Sequence, residues 1–225
     1  MKRLTCLLVF FVLAFALRAD DSWRSALSKM PLNTHATQLD RTNCVEVMLR
    51  AFQSNEVVKA LIFMPGATDE FYFFRRARAV LTNASPTLLD AVRALTNQTL
   101  IHATFRPPML LLHTLEDPVA PLFHIENREA EERLRKARFI PHALYNDRDW
   151  DYLLPILSRR LKTRFLPYRN TRDSWHFFRH SFAGWNLTGW EALEAVSLAG
   201  KTTFTVQERR VIFEGDTRTP QSSKL

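Results

Sequence analysis

The segment WHFFRHSFAGW, residues 175–185, sets two histidines four apart among three phenylalanines and two tryptophans. On a helix, His176 and His180 would share one side and could grip a single metal ion. Zinc hydrolases built on such a pair carry a glutamate directly after the first histidine, and it acts as the base. Here that place is Phe177, so the base is missing and no metal site is expected. Trp175, Phe178, Phe182 and Trp185 follow an i, i+3, i+7, i+10 course. The segment is therefore expected as a buried helix whose histidines bond to backbone carbonyls or carboxylates, because an unpaired buried polar group costs about 1–3 kcal/mol.

A second source of chemistry is the set of polar residues that follow the short apolar runs. Ligands of open parallel sheets bind where the strands end at their carboxyl edge. A strand over 61–64 leads into Asp69 and Glu70, and one over 109–113 ends at His113 and leads into Glu116 and Asp117. A strand over 139–144 leads into Asp147, and one over 164–166 into Arg169, Asp173 and His176. If these strands are parallel neighbours, their polar ends meet on one rim that could bind a ligand or run acid–base chemistry. His113, Asp117 and His176 are the catalytic candidates, and Asp69, Glu70, Asp147 and Arg169 the ligand-binding candidates. The run PPMLLLHTLEDPVAPLF resembles, over about fifteen residues, the strand and loop that deliver the acid of the triad in α/β-hydrolases. The rest of that family's pattern is not found. No G-x-S-x-G elbow occurs, and some 43 residues between Gly66 and Met109 are too few for the intervening elements of that fold.

The elements that must position these residues alternate along the chain. Helical spacing runs through 36–53, 69–84, 85–99, 128–137, 147–162 and 188–201. Ser85 with Pro86 is the expected start of the third of these, and Thr188 with Glu191 forms a capping box for the last. Short apolar runs at 57–66, 100–105, 109–114, 139–146 and 163–168 read as strands. TTFTV and RVIFEG flank residues 207–209 as a β-hairpin. The alternation predicts an α/β fold with a mainly parallel sheet flanked by helices and the C-terminal hairpin at an edge. One domain over 36–216 is expected, after an irregular lead-in over 20–35 and before a flexible tail over 217–225.

Lys2 and Arg3 precede an uncharged apolar run from Leu4 to Leu17, the pattern of a secretory signal. Its fourteen residues make about 21 Å of helix, short of a hydrocarbon core of roughly 30 Å. Cleavage after Ala19 or Ala16 and a secreted or periplasmic product are expected, with no transmembrane segment afterwards. Cys44 then remains alone and, lying among Leu39, Val45, Met48 and Leu49, is expected buried and unreactive. Five glycines give little material for a phosphate cradle, and no cofactor is expected. The basic runs FRRARA, RLRKARF and SRRLKTRF lie on expected helices or their ends, where such residues form solvated faces. They point away from nucleic acid as a partner and toward a small molecule or an anionic component of the cell envelope. The leading reading is an exported binding or envelope-associated module. The alternative is a hydrolase-like enzyme using His113, Asp117 and His176 at the carboxyl edge of the strands, with a metal ion as an optional aid at that rim.

Overall fold

A computed structural model describes residues 22–34, 36–40, 42–64, 78–114, 123–139, 143–148, 150–167, 180–200 and 202–215. The segments expected as signal and tail lie outside these residues, as do Asp69, Glu70, Glu116, Asp117, Arg169, Asp173 and His176. The fold is mixed α/β, and its sheets are mixed rather than mainly parallel.

A five-stranded sheet forms the centre. Its order is β4 (His102–Arg106), β5 (Met109–His113), β2 (Ala60–Phe63), β10 (His180–Gly184) and β8 (Ala143–Arg148). Of the four pairings, only β2 with β5 is parallel. The expected parallel sheet fails for two reasons. The turn through Pro107 and Pro108 is too short for a crossover, so β4 and β5 pair antiparallel. The segment expected as a helix at 175–185 instead supplies β10, which runs against both β2 and β8. Residues 175–179 lie outside the described residues, but from His180 to Gly184 the chain is strand, so the helical pairing of His176 with His180 does not hold.

The two faces of this sheet carry two cores. Leu61, Phe63, Leu110, Leu112 and Ala183 pack with a short helix α1 (22–27), α2 (Cys44–Ala51) and α3 (Leu88–Gln98). Ala60, Ile62, Met64, Met109, Leu111 and Phe182 face the other way. Because both faces are buried, these strands read as continuous apolar runs with no alternation. The lead-in expected as irregular is thus partly helical, and it buries Trp23 and Leu27 in the first core. Leu39, expected on the helix over 36–53, lies in a two-residue strand β1 (Gln38–Leu39) paired with β3 (Ala79–Val80), and the helix begins only at Cys44. The start of α3 is also shifted. Its cap is Thr87, not Ser85, closed by a reciprocal pair with Asp90, and Pro86 lies before the helix.

Cys44 opens α2 fully buried, and burial pushes its thiol up to about 12. We expect a thiol reagent to leave Cys44 unmodified in the native protein and to modify it once denaturant unfolds the chain. Modification of the native protein at the rate of a free thiol, located at Cys44 by peptide mass, would contradict this burial.

The second core is closed by a four-stranded sheet in the order β6 (Phe123–Ile125), β12 (Thr202–Val206), β13 (Arg210–Gly215) and β9 (Arg164–Pro167). The C-terminal hairpin is present, but it occupies the middle of this sheet instead of an edge. β9, expected beside β2 and β5, pairs parallel with β13 here and does not belong to the central sheet. Phe204, Val206, Val211 and Phe213 point inward from the hairpin.

Helix α6 (Gly189–Gly200) lies between the two sheets, touching β2 and β10 on one side and β12 on the other. Its sequence GWEALEAVSLAG is apolar nearly all round, which suits a helix covered on all sides. The expected capping box is formed: the Thr188 N–H donates to Glu191 Oε2 at 2.7 Å and the Glu191 N–H to Thr188 Oγ1 at 3.1 Å. Lys59 Nζ adds an ion pair to Glu191 at 2.9 Å. Gly189 lets α6 meet α4 (Arg128–Lys136) closely, since a Cβ there would stand 2.9 Å from the Leu134 carbonyl oxygen.

Glu194 is, with Glu191, one of two partly buried carboxylates on α6. It accepts from Trp190 Nε1 at 3.0 Å, and the Arg135 guanidinium lies 4.2 Å from the Trp190 ring centroid. Burial raises the Glu194 pKa, and it outweighs the Trp190 hydrogen bond and the nearby charges of Arg135 and Arg106. A carboxyl whose pKa rises on folding contributes most when protonated, and that contribution is lost as pH rises through its folded pKa. Glu194→Gln keeps an oxygen for Trp190 and removes the charge. We expect it to match or exceed the parent in stability at neutral pH, with the difference shrinking toward pH 4.5, the ordinary value of the group. Denaturant melts at several pH values check this, and a variant less stable than the parent only at neutral pH would contradict it.

Candidate functional site

Three of the strands expected to form the rim do share a direction. β2 and β5 are parallel, and two antiparallel steps through β10 turn β8 the same way. Their carboxyl ends therefore lie at one edge of the sheet, with His113 at the end of β5 and Asp147 on the last turn of pleat in β8. Of the catalytic candidates His113, Asp117 and His176, only His113 is among the described residues. Asp69, Glu70 and Arg169 also lie outside them, so of the candidates only His113 and Asp147 are placed, on strands that share this edge.

His113 instead belongs to a site that the sequence reading did not assemble. It pairs in register with His102 on the neighbouring edge strand β4, and their rings lie 5.8 Å apart. Residues two apart on a strand share a face, so Thr104 projects on the same side as His102. Its Oγ1 lies 2.9 Å from His113 Nε2. His113 is 1% exposed, whereas His102 is open to solvent.

These residues line a cleft of about 610 Å³ that reaches around β4 toward α1 and α3. Helix α3 contributes Leu89, Val92, Arg93, Thr96 and Asn97, which fall at i, i+3, i+4, i+7 and i+8 and so form one stripe. Leu89 and Val92 are buried at its base, and Arg93 and Asn97 are exposed at its mouth. Trp23 and Arg24 of α1 complete the wall. The Arg24 guanidinium carbon lies 5.3 Å from the Trp23 ring centroid, within the range of a cation–π contact. Trp23 in turn meets Phe105 of β4, ring centroids 6.3 Å apart, and this ties α1 to the edge strand.

The lining holds two guanidinium groups, two imidazoles, a threonine pair and an amide, and it holds no carboxylate. Guanidinium groups give planar, charge-assisted hydrogen bonds to carboxylate and phosphate. The base of the stripe and Trp23 offer apolar surface beside them. The donor set therefore suits a small anion with an apolar part. The His113–Thr104 distance also lies within reach of proton transfer between a hydroxyl and a base. Among the described residues no group of three or more His, Cys, Asp or Glu side chains is placed to hold a metal ion. None of the described helices is long and apolar enough to cross a membrane.

Sequence reasoning missed Trp23 and Arg24 because the lead-in was expected without structure. It missed Arg93 and Asn97 because polar residues on a helix read as a solvated face. The signal was nonetheless there: the α3 stripe changes from Leu89 and Val92 to Arg93, Thr96 and Asn97 along its length. No family model matches the chain, and no curated protein and no solved structure matches it either.

Proposed function

We propose that this chain is an exported binding module whose cleft between α1, α3 and β4 takes a small anionic organic molecule. The observation that carries this reading is that Arg24 and Arg93 both line a cleft whose lining has no carboxylate. Trp23, Leu89 and Val92 favour a ligand with an aromatic or aliphatic body over a bare ion. Export rests on Lys2, Arg3 and the apolar run behind them.

A second reading is favoured by one contact. The 2.9 Å between Thr104 Oγ1 and His113 Nε2 suits a hydrolase in which His113 takes the proton from a reacting hydroxyl. One probe separates the two. 4-Nitrophenyl phosphate has the charge and the ring, and its hydrolysis releases a coloured phenolate. Saturable binding by calorimetry without colour release is the result expected of a binding module. Colour release that disappears in His113→Gln supports the hydrolase, and no binding at all contradicts both.

A further inference from the structure

The hairpin tip of the four-stranded sheet gathers cations that the cleft does not use. Parallel pairing of β13 with β9 sets Arg210 directly beside Arg164. Arg210 and Arg164 precede the inward-facing Val211 and Phe165, so both project from the outer face of the sheet. Like charges placed opposite each other on neighbouring strands are unfavourable. Both side chains are exposed, and Arg210 Nε donates to Gln207 Oε1 within the turn. Backbone contacts hold more cations nearby. The Arg164 N–H donates to the Arg209 carbonyl at 3.1 Å, and Arg133 reaches across from α4 to donate to the Glu208 carbonyl. Lys162 lies two residues before Arg164 and is also exposed.

Few carboxylates offset this group. Glu208 stands 3.8 Å from Arg209, and Glu126 accepts from Gln207 Nε2 at 2.8 Å. Glu131 and Glu132 are paired with Arg135 and Lys136 along α4. Arg164 makes no ion pair among the described residues, so its charge faces water.

We infer that this end of the sheet is an attachment surface for anionic lipid headgroups, engaged by Arg133, Lys162, Arg164, Arg209 and Arg210. The inference goes beyond the proposed cleft and rests on the proposed export only for its choice of partner. Two features favour a lipid surface over nucleic acid. The tip is a hairpin turn, which can meet a flat array of charges without needing a groove. None of the residues 207–210 or 162–164 is aromatic, so the stacking platforms that single strands require are missing. Phe165, next along β9, is buried. With no exposed apolar wedge at the tip, attachment is electrostatic and stays at the surface.

The test is sedimentation of the full mature chain with phosphatidylglycerol vesicles, and with phosphatidylcholine vesicles as the neutral control. Binding to the anionic vesicles at low salt and release at high salt are expected. Each cation near such a surface strengthens binding by about fivefold. Arg164→Glu with Arg210→Glu should therefore weaken binding by at least about twentyfold. Arg164→Gln with Arg210→Gln should lie between it and the parent, which guards against a folding defect. The charge-reversed variant should still bind 4-nitrophenyl phosphate like the parent, so loss of attachment and loss of the cleft are told apart. Equal binding to both vesicles, unchanged binding of the charge-reversed variant, or tighter binding to a short DNA duplex than to anionic vesicles at the same salt would each overturn the inference.

Discussion

Phe182→Ala should lower the stability of this protein by roughly 3–5 kcal/mol, the usual range for a buried phenylalanine. Phe182 lies in the middle of β10, which is itself held between β2 and β8, and only 1% of it is exposed. Its ring enters the core that α6 shares with the two sheets, so truncation leaves a cavity lined by elements from both layers. A central strand cannot move to fill that space without disturbing two ladders. The loss is large against a typical total of about 5–15 kcal/mol. Equilibrium unfolding in denaturant measures it, with Trp185→Ala as the comparison. Trp185 is 51% exposed, so its truncation should cost far less. Similar losses for the two variants would contradict the placement of β10.

The same residue shows why the sequence misled at this point. Trp175, Phe178, Phe182 and Trp185 mimic a helical face, yet 180–184 is a strand. A strand buried on both sides has no polar alternation to betray it: Phe182 faces one core and Ala183 the other. Apolar periodicity then follows the chance spacing of aromatics. The helices α3, α4 and α6 were legible because each carries caps or a charged stripe that a strand would not need, and α5 (Trp150–Leu161) for its length and the two arginines of its last turn. The hairpin was legible for its polar turn at 207–209 between two apolar runs. Strand direction was not, because it depends on which neighbour a strand finds, and β9 found β13 instead of the central sheet. Of the candidate site, His113 was legible as a polar residue closing an apolar strand. Its partners Thr104 and His102 were not, since only the register of β4 against β5 brings them beside it.

Arg24→Glu combined with Arg93→Glu should weaken binding of 4-nitrophenyl phosphate by about a hundredfold or more. Hydrogen bonds to charged groups are worth roughly 1.5–3 kcal/mol each, and two are removed while two repelling carboxylates take their place. Both arginines are exposed, so substitution at neither should unfold the chain. Arg24 gives up its contact with Trp23, a cost of about 0.5–1 kcal/mol at an exposed site. The variant should therefore melt close to the parent while losing the ligand. The same double substitution should raise affinity for a cationic aromatic such as benzamidinium above that of the parent. Calorimetry with both probes reads the sign of the cleft directly, and unchanged affinity for the phosphate would show that the arginines play no part in recognition.

The cleft itself is best interrogated residue by residue, by titrating 4-nitrophenyl phosphate into isotope-labelled protein and following its resonances by nuclear magnetic resonance. Saturable shifts at the Trp23 indole, the Arg93 and Asn97 amides, and the His102 and His113 side chains are expected, with those of Arg209 and Arg210 unmoved. Shifts confined to the hairpin tip, or none at saturating probe, would contradict the assignment of this cleft as the binding site.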